Sequence, residues 1–403
     1  MSRYRAYCPE QGYLLPPRVE SVLGSDHLCF FVGGLVEKLD LSRFDQAYGP
    51  VGGQLYHPSL MLKVWLYGYA LGVTSSRRLE QRIREDLAFR YLAGGSTPDF
   101  WSLNAFRSRH GRAINDCFTQ VVEQARRLGM GRLGTVAIDT TRIKASASPD
   151  KVLKLERAQR AAVGTRIRRW QQACDRDDPN ENAGGSTGAA VDALAAAEVP
   201  AQLTKLPRPA RAKKAATHDR VSITDPEARF LRTRGGRFVL GYTGEIAVSE
   251  DHLIVAQRLT SEASDNASLA PMVDLVAATC GSPPRRVVAD SGFYSNQNVE
   301  TMEARKIDAY VPDSNLAQRL NLRKPADDLP CKDPRLKRMR DKMLTHEGRK
   351  IYAQRRGIVE PVFGTLKEQR NLRGFRLRSR HKVAIEFALA ATAYNLTRMF
   401  AQR

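Results

Sequence analysis

Two aspartates stand where a charge needs a reason. Asp139 closes the run Thr135-Val-Ala-Ile-Asp139 and Asp290 closes Arg286-Val-Val-Ala-Asp290. Both runs have the texture of short buried strands, and a carboxylate at the end of such a strand is costly unless it is paired, hydrogen-bonded or bound to a metal. One such aspartate is commonplace as a turn residue, whereas two suggest a shared site. A third acid lies in a different setting. Tyr352, Arg356, Glu360, Gly364 and Lys367 are spaced four, four, four and three, which places them along one stripe of a helix. Glu360 then faces the same way as one cation a turn before it and another two turns after it. The same stripe also reads as a solvated face of weak ion pairs, and Pro361 either bends the helix or marks a start near Glu360.

The elements that would carry these acids differ along the chain. Residues 1 to about 132 read as helical: an apolar face runs from His57 to Leu71, and Ser75 or Ser76 can cap a second helix through Leu79, Ile83 and Leu87. Thr97-Pro98 offers an N-cap with proline at the first helical position, followed by Phe100, Leu103 and Phe106 on one face. Arg107, Arg109 and Arg112 crowd the end of that helix, and a fourth spans roughly 113–128. From about 150 to 222 the chain is rich in Ala, Arg and Gly and reads as a helical or partly disordered insertion. Strand texture returns at 238–242, 245–248 and 253–259, then at 286–290. A helix from about 295 to 306 and a strand at 307–311 follow, and the part beyond 348 is helical and basic.

Composition narrows the partners. The chain has 403 residues, enough for two domains, and 64 Lys and Arg against 43 Asp and Glu give a net charge of +21. Such an excess attracts polyanions, and nucleic acid is the leading partner. Residues 349–382 alone hold eleven Arg or Lys against two acids, Glu360 and Glu368. The six cysteines form no CxxC pair, which fits a reducing cytoplasm and argues against a zinc ribbon or a disulfide framework. The N-terminus lacks a signal-peptide core, and the longest apolar run, Val383–Leu396, is broken by Glu386 and too short to span a bilayer. Gly129-Met-Gly-Arg-Leu-Gly134 matches the dinucleotide fingerprint, but it follows a helix and precedes a strand, so it reads as a helix stop. The histidines show no metal-binding spacing. Trp170 could stack on an extruded base, although a packing role is the more ordinary reading.

Three blocks in this order carry a resemblance: Val136-Ala-Ile-Asp139-Thr-Thr, Val288-Ala-Asp290-Ser-Gly-Phe-Tyr294, and Arg356-x3-Glu360-x6-Lys367. The chain resembles the bacterial insertion-sequence transposases of the DDE class, the group with a tyrosine–arginine–glutamate–lysine signature. His57-Pro-Ser-Leu-Met-Leu-Lys63 and Pro98–Arg107 resemble that group's N-terminal helical domain. The third block departs in one respect. Three residues separate Tyr352 from Arg356 where the signature has two; Arg355 restores that spacing but lies one residue too far from Glu360.

The resemblance implies an α/β (overall α+β) architecture: an RNase H-like mixed sheet flanked by helices over 133–403, interrupted by the insertion, behind an N-terminal DNA-binding helical domain over 1–132. Asp139, Asp290 and Glu360 would be the catalytic metal ligands. They would hold two Mg²⁺ ions (Mn²⁺ able to substitute) about 3.5–4 Å apart for in-line displacement at phosphorus. Arg356, Lys367, Arg107, Arg109 and Arg112 would contact DNA. The substrates implied are double-stranded terminal inverted repeats and target DNA, bound by a homodimer or larger assembly at the nucleoid, with no membrane partner. Two alternatives remain at this point, a domesticated DNA-binding protein without catalysis and another two-metal RNase H-like nuclease.

Overall fold

The computed structural model describes residues 18–45, 55–154, 220–233, 236–322, 329 and 333–403. Most of the expected insertion, Trp170 included, lies outside these residues. The described residues begin with helices α1 (Val19–Leu23), α2 (Leu28–Val36), α3 (Ser42–Asp45), α4 (Pro58–Ala70), α5 (Ser76–Glu85), α6 (Leu87–Leu92), α7 (Phe100–Arg109) and α8 (Gly111–Arg127). Local chemistry sets their starts. His57 Nδ1 accepts from the Ser59 amide at 3.2 Å ahead of Pro58, which holds the first helical position of α4. The cap of α7 is Asp99 rather than Thr97. Its carboxylate accepts from the Ser102 amide at 2.7 Å, and the helix begins at Phe100, two residues later than the proline suggests. At the far end of α8, Gly129 adopts φ +83°, so the glycine-rich 129–134 segment stops a helix as its context implies.

The sheet follows. Its strands are β1 (Thr135–Lys144), β4 (Arg229–Arg232), β5 (Phe238–Ser249), β6 (Ile254–Thr260), β7 (Arg286–Ala289) and β8 (Asp308–Tyr310), while β2 (Val152–Lys154) and β3 (Arg220–Ser222) pair as a separate ribbon. β1 is central: it runs antiparallel to β5 and parallel to β7, which runs parallel to β8. Both β4 and β6 pair antiparallel with β5. The segments 238–242 and 245–248, expected as two strands, form the single strand β5. The edge strand β6 is closed by a side chain, since Asn395 Oδ1 accepts from the Ile254 amide and Nδ2 donates to its carbonyl, at 2.9 and 2.8 Å.

The remaining helices are α9 (Leu269–Cys280), α10 (Asn296–Ala304), α11 (Ser314–Asn321), α12 (Pro334–Leu344), α13 (His346–Gly364) and α14 (Arg380–Phe400). Helix α14 is apolar nearly all round, with Val383, Phe387, Leu389 and Leu396 all buried, the pattern of a helix enclosed in a core. It packs against α2, α4, α7 and α8 on one side and β6 on the other. One buried cluster therefore runs from Cys29 to Met399 without a break. No helix among the described residues is long and apolar enough to cross a membrane.

Candidate active site

The two aspartates come together through strand register. Val136, Ala137 and Ile138 of β1 pair with Val287, Val288 and Ala289 of β7, so Asp139 and Asp290 are the next residues on neighbouring parallel strands. Neighbouring strands lie about 4.8 Å apart, and both carboxylates act on the charge of Arg355. β7 ends just before Asp290, but β1 does not end at Asp139. Thr140, Thr141 and Ile143 extend it to Lys144, where it still pairs with Gly241 of β5. Asp139 is thus a mid-strand residue, only 2% exposed.

Helix α13 lies across the sheet here, packed against both β1 and β7. Its inward arginine is Arg355, not Arg356. The Arg355 Nη1 donates to Asp139 Oδ2 at 2.7 Å with the guanidinium 7% exposed, while the Thr140 amide donates to Asp139 Oδ1 at 2.8 Å. Burial works against the charge on Arg355, but Asp139, Tyr352 and Asp290 outweigh it and hold its pKa above the ordinary arginine value. Tyr352 is hydrogen-bonded to Arg355, and burial pushes its phenol up. The pair Tyr352-x2-Arg355 is therefore the one that faces the site. The signal was the signature's own spacing, which Arg355 satisfies.

Glu360 is carried on α13 but points elsewhere. It is 56% exposed, and Arg356 Nε lies 4.0 Å from its Oε1, too far and too wet to contribute much. Arg356 itself donates to Asn321 Oδ1 at 2.6 Å. The helix continues unbroken past Pro361 to Gly364 and then widens into a π turn over Thr365–Gln369. Lys367 sits in that turn, so the spacing that put it on the Glu360 stripe no longer applies, because a π turn takes more residues per revolution.

Of the three N-terminal arginines, Arg109 and Arg112 are exposed. Arg107 is buried and unable to reach DNA from where it lies. Its Nη1 donates to Tyr69 Oη and Thr74 O at 3.1 and 3.0 Å, its Nη2 to Asn104 Oδ1 at 3.0 Å, and its guanidinium stacks 4.3 Å from the Trp65 ring.

The turn after Asp290 explains its glycine. Asp290 Oδ1 accepts from the Gly292 amide at 2.9 Å, capping the short 3₁₀ turn Ser291–Phe293. A Cβ on Gly292 would lie 3.0 Å from that oxygen and 3.1 Å from Asp265 Oδ2. Asp265, in the loop between β6 and α9, is a further acid that sequence reasoning missed; a lone aspartate in a polar loop gives no signal. We expect Gly292→Ala to displace both carboxylates and to lower any activity of the site at least tenfold with little loss of stability. Activity and melting measured side by side check this, and an unchanged rate would contradict it.

The donor set, Asp139 and Asp290, is carboxylate oxygen and so is suited to a hard divalent cation. Among the described residues no three His, Cys, Asp or Glu side chains converge as a metal cluster.

A mixed sheet in this strand order, with aspartates level on neighbouring parallel strands and a glutamate-bearing helix laid across them, is consistent with an RNase H-like DDE domain. Two family models agree. The one described as Transposase DDE domain matches residues 212–396, and the one described as Transposase domain (DUF772) matches residues 17–109. Together they indicate an insertion-sequence DDE transposase. Asp290 and Glu360 fall inside the first match and Asp139 precedes it. No curated protein and no solved structure matches the chain.

Proposed function

We propose that the protein binds the terminal inverted repeats of its element, cleaves DNA there in a Mg²⁺-dependent reaction, and joins the freed end to target DNA. The observation that carries this reading is the register that sets Asp139 and Asp290 level on β1 and β7 beneath α13. These two would hold the metal, with Glu360 supplying a third carboxylate from the helix. Bound Mg²⁺ would supply charge neutralisation at phosphorus and a more acidic attacking hydroxyl.

The chain's own groups do the rest. Arg355 holds Asp139 in a fixed orientation through a charge-assisted hydrogen bond. Arg356, half-exposed on α13, and Lys367 grip phosphates flanking the attacked one, as cations that cannot themselves ligate Mg²⁺. A basic tract continues from there. The segment after the π turn docks on the end of β1, with the Phe375 amide donating to Lys144 O at 2.8 Å, and Arg373, Arg376, Arg378 and Arg380 along it are exposed. Arg109 and Arg112 offer a second basic surface for the element's ends, and two copies of the chain would bring two ends together.

The test is cleavage of a labelled duplex carrying the inverted repeats that flank the gene. Cutting that needs Mg²⁺, stops with chelator and resumes when the metal is restored supports the reading; cutting indifferent to chelator contradicts it. Lys367→Glu tests the phosphate grip. It should weaken binding to a pre-cleaved end about tenfold and slow joining without raising the Mg²⁺ needed for half-activity. Normal DNA binding with a much higher metal requirement would instead assign Lys367 to support of the carboxylates.

A further inference from the structure

The loop between β6 and α9 reaches Asp290 from the side of the sheet opposite α13. Side chains alternate along β1, so Thr140 and Arg142 leave the face opposite to Asp139. Asp265 is fastened to both. Its carboxylate accepts from Arg142 Nη2 at 3.1 and 3.4 Å and from the Thr140 hydroxyl. Arg142 is itself fixed, its Nη1 donating to Thr243 Oγ1 at 2.7 Å and its Nη2 to Ala263 O at 3.1 Å.

The same loop is tied to the turn that follows Asp290. Asn298 Nδ2 donates to Asn266 O at 2.6 Å and to Phe293 O at 2.7 Å. Asn266, with its amide oriented to donate, reaches the carbonyls of Gly292 and Tyr294. Asp265 therefore stands at a fixed place, 15% exposed, sharing with Asp290 the space above Gly292.

Two carboxylates crowded at one point repel, and a divalent cation beside them relieves that repulsion.

We propose that Asp265 is a positioning residue for Asp290: held by Arg142 on the far side of the sheet, it stands against the Asp290 turn and, through its charge, strengthens the hold of Asp290 on a divalent cation. The inference rests on the metal-dependent reading of the Asp139–Asp290 site. Asp265 is not itself placed among the ligands, and its effect is on how tightly they bind.

Mn²⁺ binding to the full-length chain, read by calorimetry with thermal melting alongside, tests it. Wild type should bind Mn²⁺ and Asp139→Asn should lose most of that binding. Asp265→Asn should weaken binding about tenfold, the scale of one charge at this separation in a partly buried site, with melting nearly unchanged. Asp265→Glu, which keeps the charge, should recover all but about threefold. Arg142→Lys keeps every acid but loses the planar fork, and it should weaken binding by about threefold as Asp265 loses its orientation. Wild-type affinity in folded Asp265→Asn would overturn the proposal, leaving Asp265 a structural residue and the metal reading intact. If Asp265→Asn does not fold, unchanged affinity in Arg142→Lys overturns it instead. Equal Mn²⁺ binding by wild type and Asp139→Asn would remove the underlying reading, and this proposal with it.

Discussion

Asp139→Asn, Asp290→Ala and Glu360→Ala are each expected to lower Mg²⁺-dependent cleavage by about a thousandfold or more, a loss of roughly 4 kcal/mol in transition-state stabilisation, while duplex binding stays within about threefold. The three differ in what else they disturb. Asp139 is buried and is the counter-charge of Arg355, so Asp139→Ala would strand a buried guanidinium and cost about 3–5 kcal/mol of stability. Asparagine keeps the shape and an acceptor for Arg355 Nη1, which separates catalysis from folding. Asp290 is partly exposed at a strand end and caps its own turn through Gly292, so alanine there removes one cap, worth about 1 kcal/mol. Glu360 is exposed and weakly paired, so its loss should leave melting unchanged. Cleavage rates and urea midpoints measured on the same preparations check all three. Near-normal cleavage by any one variant would remove that residue from the site.

The largest expected effect on stability lies far from the acids. Arg107→Ala should lower stability by about 3–5 kcal/mol, because it leaves a buried carboxylate without its cation. The partner is Glu386 of α14, 1% exposed, with its Oε1 3.7 Å from Arg107 Nη1. Glu386 also accepts from the backbone amides of Arg376 and Leu377. The pair thus joins α7, the basic segment before α14, and α14 itself. Arg109→Ala and Arg112→Ala, at exposed positions, should change stability by less than about 0.5 kcal/mol and should instead flatten the salt dependence of DNA binding. Urea denaturation beside salt titrations of binding separates the two behaviours. A fully stable Arg107→Ala variant with impaired DNA binding would return Arg107 to the interface.

Much of the sheet-bearing half was legible from local pattern. The runs before Asp139 and Asp290 are β-branched and apolar, and such runs pair as they did here, on neighbouring parallel strands. The glycine two residues after Asp290 is legible in hindsight as space kept beside two carboxylates. Other features were not legible, for physical reasons. Asp139 looked strand-terminal because apolar residues give way to Thr140 and Thr141, yet threonine holds a strand as well as valine does. Arg107 looked like a surface cation because a charge at a helix end usually is one, and its acid, Glu386, lies 279 residues away in sequence. Glu386 in turn looked only like an interruption of an apolar helix. The stripe from Tyr352 to Lys367 presumes ideal α geometry, which holds through Gly364 and fails in the π turn. Asp265 reaches the site only through the folding of a loop, and no periodicity marks it.

On the proposed function, one carboxylate site both cuts the element's end and joins it to new DNA. The most direct measurement incubates the full-length protein with a labelled element-end duplex, a plasmid target and Mg²⁺, and follows label that becomes covalently attached to the plasmid. We expect joined product with wild type, and none with Asp139→Asn, Asp290→Ala or Glu360→Ala at equal DNA occupancy. Cleavage without joining would make the protein a nuclease of the same fold, and joined product persisting in the Asp139→Asn and Asp290→Ala variants would contradict the site itself.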